Sequence, residues 1–381
     1  MNGVHRPLNP AVLGEPEELA GLGAGDWQVL ADSVFQEGME GLLFHRCATV
    51  ATHPPAAIRG RLEAGYRLTA QHNIVALREL RTVLRGLSDH GVGVVVMPGA
   101  SLLTLYPDPA CRPMDDIDLL IRPGEMDRAR AVLRRQGFDS PPRHPELWAR
   151  DDVVLDLHAD LFNCSRVGAR RRAGWMDVGE VFRDRRRLTV EGVPICAMGL
   201  EDSILYTAVH ALRHSFRRLV WFLDLHLLLQ QSVDWGVLAE KGGRYGLRRP
   251  LQYCLRYLRD HAGVGLVGPA AAWAARPALS AAEGWALDRA FRDRRQGEWG
   301  DLLWSFSIAN PMWRCWFLIA TCFPGPAVLL QVFPYLPRPL VPLAYGLRLG
   351  QLMLRGGRHL AGVLRRSGHP ASANRQDPQP P

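Results

Sequence analysis

Hydrophobic positions keep a helical rhythm over residues 10–90. The pattern predicts helices at 16–22, with Pro16 suited to a first turn, at 27–36, and along 58–90. Within the last, Ile74, Leu77, Leu80, Val83 and Leu87 recur every three or four residues and form one apolar stripe, the mark of a structural helix.

The rhythm then changes to short apolar runs. Residues 92–97 (VGVVVM), 117–121 (IDLLI) and 153–158 (VVLDLH) read as strands, rich in β-branched side chains. A short helical piece at 100–106 and an Arg-rich amphipathic helix at 125–136 separate them. This is a compact mixed unit of strands and helices. A hairpin follows at 188–196, turning at Glu191-Gly192, and then helices at 201–216, 219–230, 235–245 and 252–260.

Residues 315–337 carry no charge, but Pro324, Gly325, Pro326 and Pro334 interrupt any helix through them. Residues 340–366 mix Leu, Met and Val with Arg348, Arg355, Arg358, Arg365 and Arg366, a basic amphipathic pattern suited to a membrane surface or a partner. The polar, Pro-rich end after Ser367 reads as a disordered tail. The expected organisation is therefore an N-terminal helical region at 1–90, a core at 91–165, a hairpin plus helical domain at 166–310, the apolar and basic segment at 311–366, and a tail at 367–381.

Composition narrows the picture little. With 47% hydrophobic and 22% charged residues the chain is ordinary globular material, not disordered, collagen-like or a disulfide mini-protein. The formal charge of +8 suits anionic partners in general. Nearly all of the positive charge is arginine, a skew more economically assigned to coding-DNA composition than to function. Seven scattered cysteines without a C-x-x-C pair indicate neither zinc knuckle nor redox pair. The N-terminus lacks a basic and apolar leader pattern, so a reducing cytoplasm is the expected compartment, with peripheral membrane contact through 315–366 as the exception.

The candidate chemistry lies in acids on strands. Asp116 and Asp118 share one face of their strand and stand about 7 Å apart, while Ile117, Leu119 and Ile121 share the other. Asp156 and His158 repeat the device on the next strand. Like charges so placed repel and lose hydration, so a fold keeps them more readily around a cation, for which Mg²⁺ is the natural candidate. If the two strands are neighbours, the three carboxylates meet the needs of a two-metal phosphoryl or nucleotidyl transfer site. The turn at Gly99 enters a helix whose free N–H groups attract anions; Gly99 permits close approach and Ser101 offers a hydroxyl.

The ordered set resembles the nucleotidyltransferase superfamily with a polymerase-β-type palm. It is most similar to a bacterial group of uncharacterised nucleotidyltransferases, whose members carry a Lys-Gly turn, a Tyr-Pro and Arg segment leading into Asp-Ile-Asp, and a strand ending Asp-Leu-His. The matching residues here are Pro98-Gly99, Tyr106-Pro107, Arg112, Asp116-Ile117-Asp118 and Asp156-Leu157-His158. The similarity covers most of residues 70–260. It implies an α+β fold, a small mixed-sheet palm embedded in N- and C-terminal helical regions. It also implies Mg²⁺-dependent transfer of a nucleoside monophosphate from an NTP to a hydroxyl acceptor, with two ions held by Asp116, Asp118 and Asp156, and the nucleotide met by Gly99, Ser101 and Arg112. Pro98 departs from the family's lysine and removes one phosphate-holding cation, which Arg112 could replace. The same departure favours an alternative, a non-catalytic binding or accessory protein of a natural-product or polysaccharide pathway that keeps the fold.

Other residues are weighed on their own terms. His158 is either a metal ligand or base, or a histidine bonded to an acid. Asp115 points away from Asp116 and is expected to pair with an arginine. His210 and His214 lack a third ligand for zinc. Asp224, in an apolar helix, needs a partner, expected to be an arginine from a neighbouring helix. The basic runs at 170–172 and 185–187 lack interleaved aromatics, so nucleic acid is not the expected partner.

Overall fold

The computed structural model describes residues 19, 21–50, 53–292, 294 and 297–367, with side chains through 354. The helix expected at 16–22 and the tail after 367 lie largely or wholly outside the described residues. In chain order the elements are α1 (Ala24–Glu37), α2 (Glu40–Thr49), α3 (Ala56–Asp89), β1 (Val94–Val96), β2 (Ile117–Ile121), α4 (Met126–Arg135), β3 (Leu147–Arg150) and β4 (Val153–His158). There follow α5 (Arg170–Ala173), α6 (Val178–Arg183), β5 (Arg186–Val190), β6 (Val193–Ala197), α7 (Leu200–Arg213), α8 (Leu219–Leu229), α9 (Trp235–Arg244) and α10 (Arg248–Asp260). The chain ends with α11 (Gly268–Ala275), α12 (Ala281–Arg292), α13 (Gly300–Ser305), α14 (Pro311–Cys322), α15 (Pro326–Val332) and α16 (Val341–Ser367).

The fold is α+β. Six strands form one mixed sheet in the order β3-β4-β2-β1-β6-β5. β1 runs antiparallel to β2 and parallel to β6, and β2 runs parallel to β4. Strand β3 was not expected from the sequence. The hairpin, expected to belong with the helices after 166, instead completes the sheet through β6. Its own pattern announces two strands and a turn, but which sheet edge it joins is a long-range choice.

Two compact units divide the chain, 1–318 and 319–381. The first of these carries the sheet. Its sheet is buried on both faces. Val96, Ile117, Leu119, Ile121, Leu155 and Leu157 pack with Leu80, Val83 and Leu87 of α3 and with α4. Val95, Met97 and Leu120 face the larger helical core built from α1, α2 and α7–α13. The stripe on α3 is buried from Leu77 onward, but Ile74 is exposed.

The acids sit on the face shared with Leu120, toward the helical core. The loop that feeds them into β2 is fixed from α3, where buried Asn73 donates through Nδ2 to the carbonyl oxygens of Pro109 (2.7 Å) and Arg112 (2.8 Å). α2 closes on the same loop: a Cβ on Gly41 would stand 1.8 Å from the Ala110 carbonyl oxygen, so only glycine allows that approach.

Among the described residues no single helix is long and apolar enough to cross a membrane. α14 and α15 meet the length and composition requirement only together, bent by 50° at the break where Pro324 and Gly325 stand.

Candidate active site

Strand register brings the predicted acids together. β2 and β4 pair in parallel with Asp118 opposite Asp156 and Leu120 opposite His158. His158 Nε2 lies 2.7 Å from Asp118 Oδ1 and 3.3 Å from Asp156 Oδ2. These three residues present ligand atoms within 4.8 Å of one another. Burial opposes the charge on His158, but the hydrogen bonds to Asp118 and Asp156 outweigh it and push the imidazole up to about 10. The ring thus serves as a built-in cation between two carboxylates, which is the acid-bonded reading expected for it and not that of a ligand or base.

Asp116 stands just before β2, outside that closest group. It keeps contact with solvent at the cleft mouth, yet the surrounding protein removes much of its hydration. That desolvation, then the charges of Asp118, Asp156 and Asp115, pushes its carboxyl up to about 7, with His158 opposing. Asp115 pairs with Arg218.

A cleft of about 360 Å³ opens beside these acids. Pro98, Gly99, Asp116, Asp118 and Arg112 line one side; Tyr206, Thr207, His210 and His214 of α7 with its C-cap, and Arg217, Arg218 and Trp221, line the other. Gly99 has φ +142° and ψ −98°, a backbone that side chains rarely adopt, and nothing lies within 4 Å of where its Cβ would be. The glycine is needed for the turn, and it leaves open space in front of the backbone.

Two of the expected nucleotide contacts are used elsewhere. Ser101 is buried and donates its hydroxyl to the Met97 carbonyl oxygen at 3.0 Å, because the residues after Gly99 form a 3₁₀ turn that rolls the side chain under the chain. Arg112 lines the cleft, but its Nε and Nη2 donate to Asp224 Oδ1 (2.9 Å) and Oδ2 (2.8 Å), and Tyr106 donates to the same Oδ1 at 2.7 Å. Burial opposes the Arg112 charge and Asp224 more than restores it. Burial first, then the Asp224 charge, holds the Tyr106 phenol well above its ordinary value, so it stays a donor. Asp224 has its arginine partner, from the loop before β2 rather than from a helix.

The histidine pair lies in the cleft wall. The His210 and His214 rings are 4.6 Å apart and both meet Trp221, at 5.0 and 5.3 Å. Withdrawal from water, aided by Arg213 and by each other for His210, lowers His210 well below its ordinary value; burial and Arg213 bring His214 down to about 4. Both are neutral near pH 7. Arg217 and Arg218 were missed in the sequence reading. Their signal was the basic pair immediately before the apolar helix α8. A larger cavity of about 690 Å³, at the start of β1, has no acidic side chain in its lining.

The donor set suits a hard divalent ion. Carboxylate oxygens from Asp118 and Asp156 converge, and a third carboxylate, Asp116, stands desolvated beside them with no ion pair among the described residues. Imidazole is a poor ligand for Mg²⁺, so His158 suits alignment of the acids better than ligation.

The mixed sheet thus carries Asp118 on β2 opposite Asp156 on its parallel neighbour, with Asp116 just before β2. Residues 23–263 match the family described as uncharacterised nucleotidyltransferase, and the chain belongs to that family. No curated protein matches it. Among solved structures, the chain is similar to the antibiotic-resistance factor ANT(2'')-Ia, at 14% identity and TM-score 0.33, over 50% of this chain and 98% of that one. It is also similar to an antigenic nucleotidyltransferase-like protein from Paracoccidioides brasiliensis, at 17% identity and TM-score 0.37, over 54% of this chain and 95% of that one.

Proposed function

We propose that the protein transfers a nucleoside monophosphate from an NTP to a hydroxyl acceptor. The observation that carries this reading is the register of Asp118 against Asp156, with Asp116 unpaired at the mouth of the same cleft. Asp116, Asp118 and Asp156 would hold the divalent ions, two Mg²⁺ by the chemistry of the family. Ions bound there supply positive charge to the phosphate oxygens.

The chain's own groups do the remaining work. Gly99 leaves room for the phosphates against the backbone. Asp156 accepts the proton of the acceptor hydroxyl as its oxygen bonds to the α-phosphorus and the bond to pyrophosphate breaks. With Pro98 in place of lysine and Arg112 committed to Asp224, the cations left at the cleft for the triphosphate are Arg217, which stands 3.9 Å from Glu298, and Arg218, which is shared with Asp115. The neutral His210, His214 and Trp221 offer a flat, uncharged wall.

A second reading, a non-catalytic binding protein with this fold, draws on one observation: Ser101 and Arg112 are both used internally. Incubation with each NTP and Mg²⁺ across a panel of hydroxyl acceptors separates the two. Metal-dependent pyrophosphate release, lost in Asp116→Ala/Asp118→Ala, supports transfer. NTP binding without turnover across the panel overturns it in favour of the second reading.

A further inference from the structure

The net charge of the chain comes from one stretch. Residues 302–376 contain eight arginines and no Asp or Glu; elsewhere the 38 remaining basic residues equal the 38 acidic ones in number. The formal +8 is carried by this stretch alone.

Much of that stretch forms the compact unit 319–381. Within it α15 and α16 pack together. The Tyr345 hydroxyl donates to the Pro324 carbonyl oxygen at 2.8 Å, and Arg348 Nε donates at 3.2 Å to the carbonyl oxygen of Cys322 at the end of α14. These bonds brace the break after α14. The unit nevertheless leaves large apolar side chains in solvent, among them Phe323, Tyr335 (97% exposed), Leu343, Leu347, Met353 and Leu354.

Along α16 the two characters separate. At 3.6 residues per turn, the arginine positions 348, 355, 358, 365 and 366 fall within about one third of the circumference. Positions 349, 352, 353, 360, 363 and 364, all Leu, Met or Val, fall on the adjoining arc. A basic arc beside an apolar arc has two demands, and one partner must meet both. A second copy of the strip would set arginine against arginine with no acid available. Nucleic acid would take the arginines and leave the leucines in water. The interface of an anionic bilayer takes both, apolar side chains at the acyl boundary and guanidinium groups at the headgroups.

We propose that residues 319–367 dock the protein on an anionic lipid surface, lying in the interface rather than crossing it. The inference stands apart from catalysis, so its test needs no turnover. The full chain is sedimented with vesicles of phosphatidylcholine alone and with vesicles containing phosphatidylglycerol. Binding to the anionic vesicles that weakens as salt rises is expected. Arg355→Glu/Arg358→Glu/Arg365→Glu should reduce that binding by at least about tenfold, since each arginine near such a surface contributes of order 1 kcal/mol. Leu349→Glu/Met353→Glu should reduce it too, with gel filtration and circular dichroism confirming that the variants fold. The salt titration of the unaltered chain stands even if they do not. Equal binding to both vesicles, indifference of the unaltered chain to salt, or displacement from anionic vesicles by duplex RNA at matched charge concentration overturns the proposal.

Discussion

The cleft contains two kinds of acid, far apart in the chain and living under opposite conditions. Asp224 is closed: Arg112 grips both its oxygens, Tyr106 adds a third hydrogen bond, and all three side chains are buried. Asp116 is open: no cation among the described residues is paired with it, and lost hydration with neighbouring negative charge raises its carboxyl to about 7. The first arrangement has satisfied its charge and fixes the loop before β2. The second leaves charge unsatisfied, which a folded protein retains at the cost of stability and which an incoming cation can relieve. One cleft thus divides its ionic groups between holding the structure and meeting a ligand.

Substitutions test that division in order of effect. Asp116→Ala should lower kcat/KM by about ten-thousand-fold, ~5 kcal/mol of transition-state stabilisation, while leaving the denaturation midpoint unchanged or raised. Paired pyrophosphate-release and urea-unfolding measurements check it, and a large loss of stability would break the contrast. Asp224→Ala should do the reverse, costing about 3–5 kcal/mol of stability because Arg112 is left buried and unpaired. Replacing both partners, Arg112→Met/Asp224→Leu, should recover most of that loss in the same unfolding assay. Tyr106→Phe removes one bond to the closed carboxylate and should cost about 1.5–3 kcal/mol, read from the shift in urea midpoint.

The smallest expected effect concerns a second closed acid, away from the cleft. Arg244 donates to both oxygens of Glu180 at 2.6 and 2.8 Å, and Tyr245 donates as well. The Arg244 bonds, against the opposing effect of burial and with help from Tyr245, hold Glu180 down to about 2. A lowered folded-state value means that this stabilisation is complete above the ordinary carboxylate range and is lost as pH falls from about 4.5 toward 2. Stability measured across that window should fall in the unaltered chain and fall less steeply in Glu180→Gln. Equal slopes would show that the closed acid is not closed energetically.

Much of the site was legible because a strand repeats every two residues. Asp-Ile-Asp within 116–118 and Asp-Leu-His within 156–158 announce acids on one face and aliphatics on the other, and Ile117, Leu119, Leu155 and Leu157 are buried as that pattern requires. The short helix α2 was not legible, because Gly41 weakens a helical reading and the reason for that glycine is the distant Ala110 carbonyl. The bond that occupies Arg112 was not legible for a similar reason. Proximity in sequence to Asp116 suggested a phosphate contact, while its partner Asp224 lies 112 positions away.

The local pattern by itself determined the long helix α3, the strands β1, β2 and β4, the hairpin, the acid-bearing faces of β2 and β4, the Gly99 turn and the family, since these depend on periodicity and on residues near one another in the chain. Tertiary structure alone decided that Asp118 stands opposite Asp156, that His158 sits between them, that the hairpin joins β1, and that Arg112 and Ser101 are spent within the fold. Each of these depends on which distant group reaches a hydrogen-bonding atom first, and local sequence carries no record of that competition.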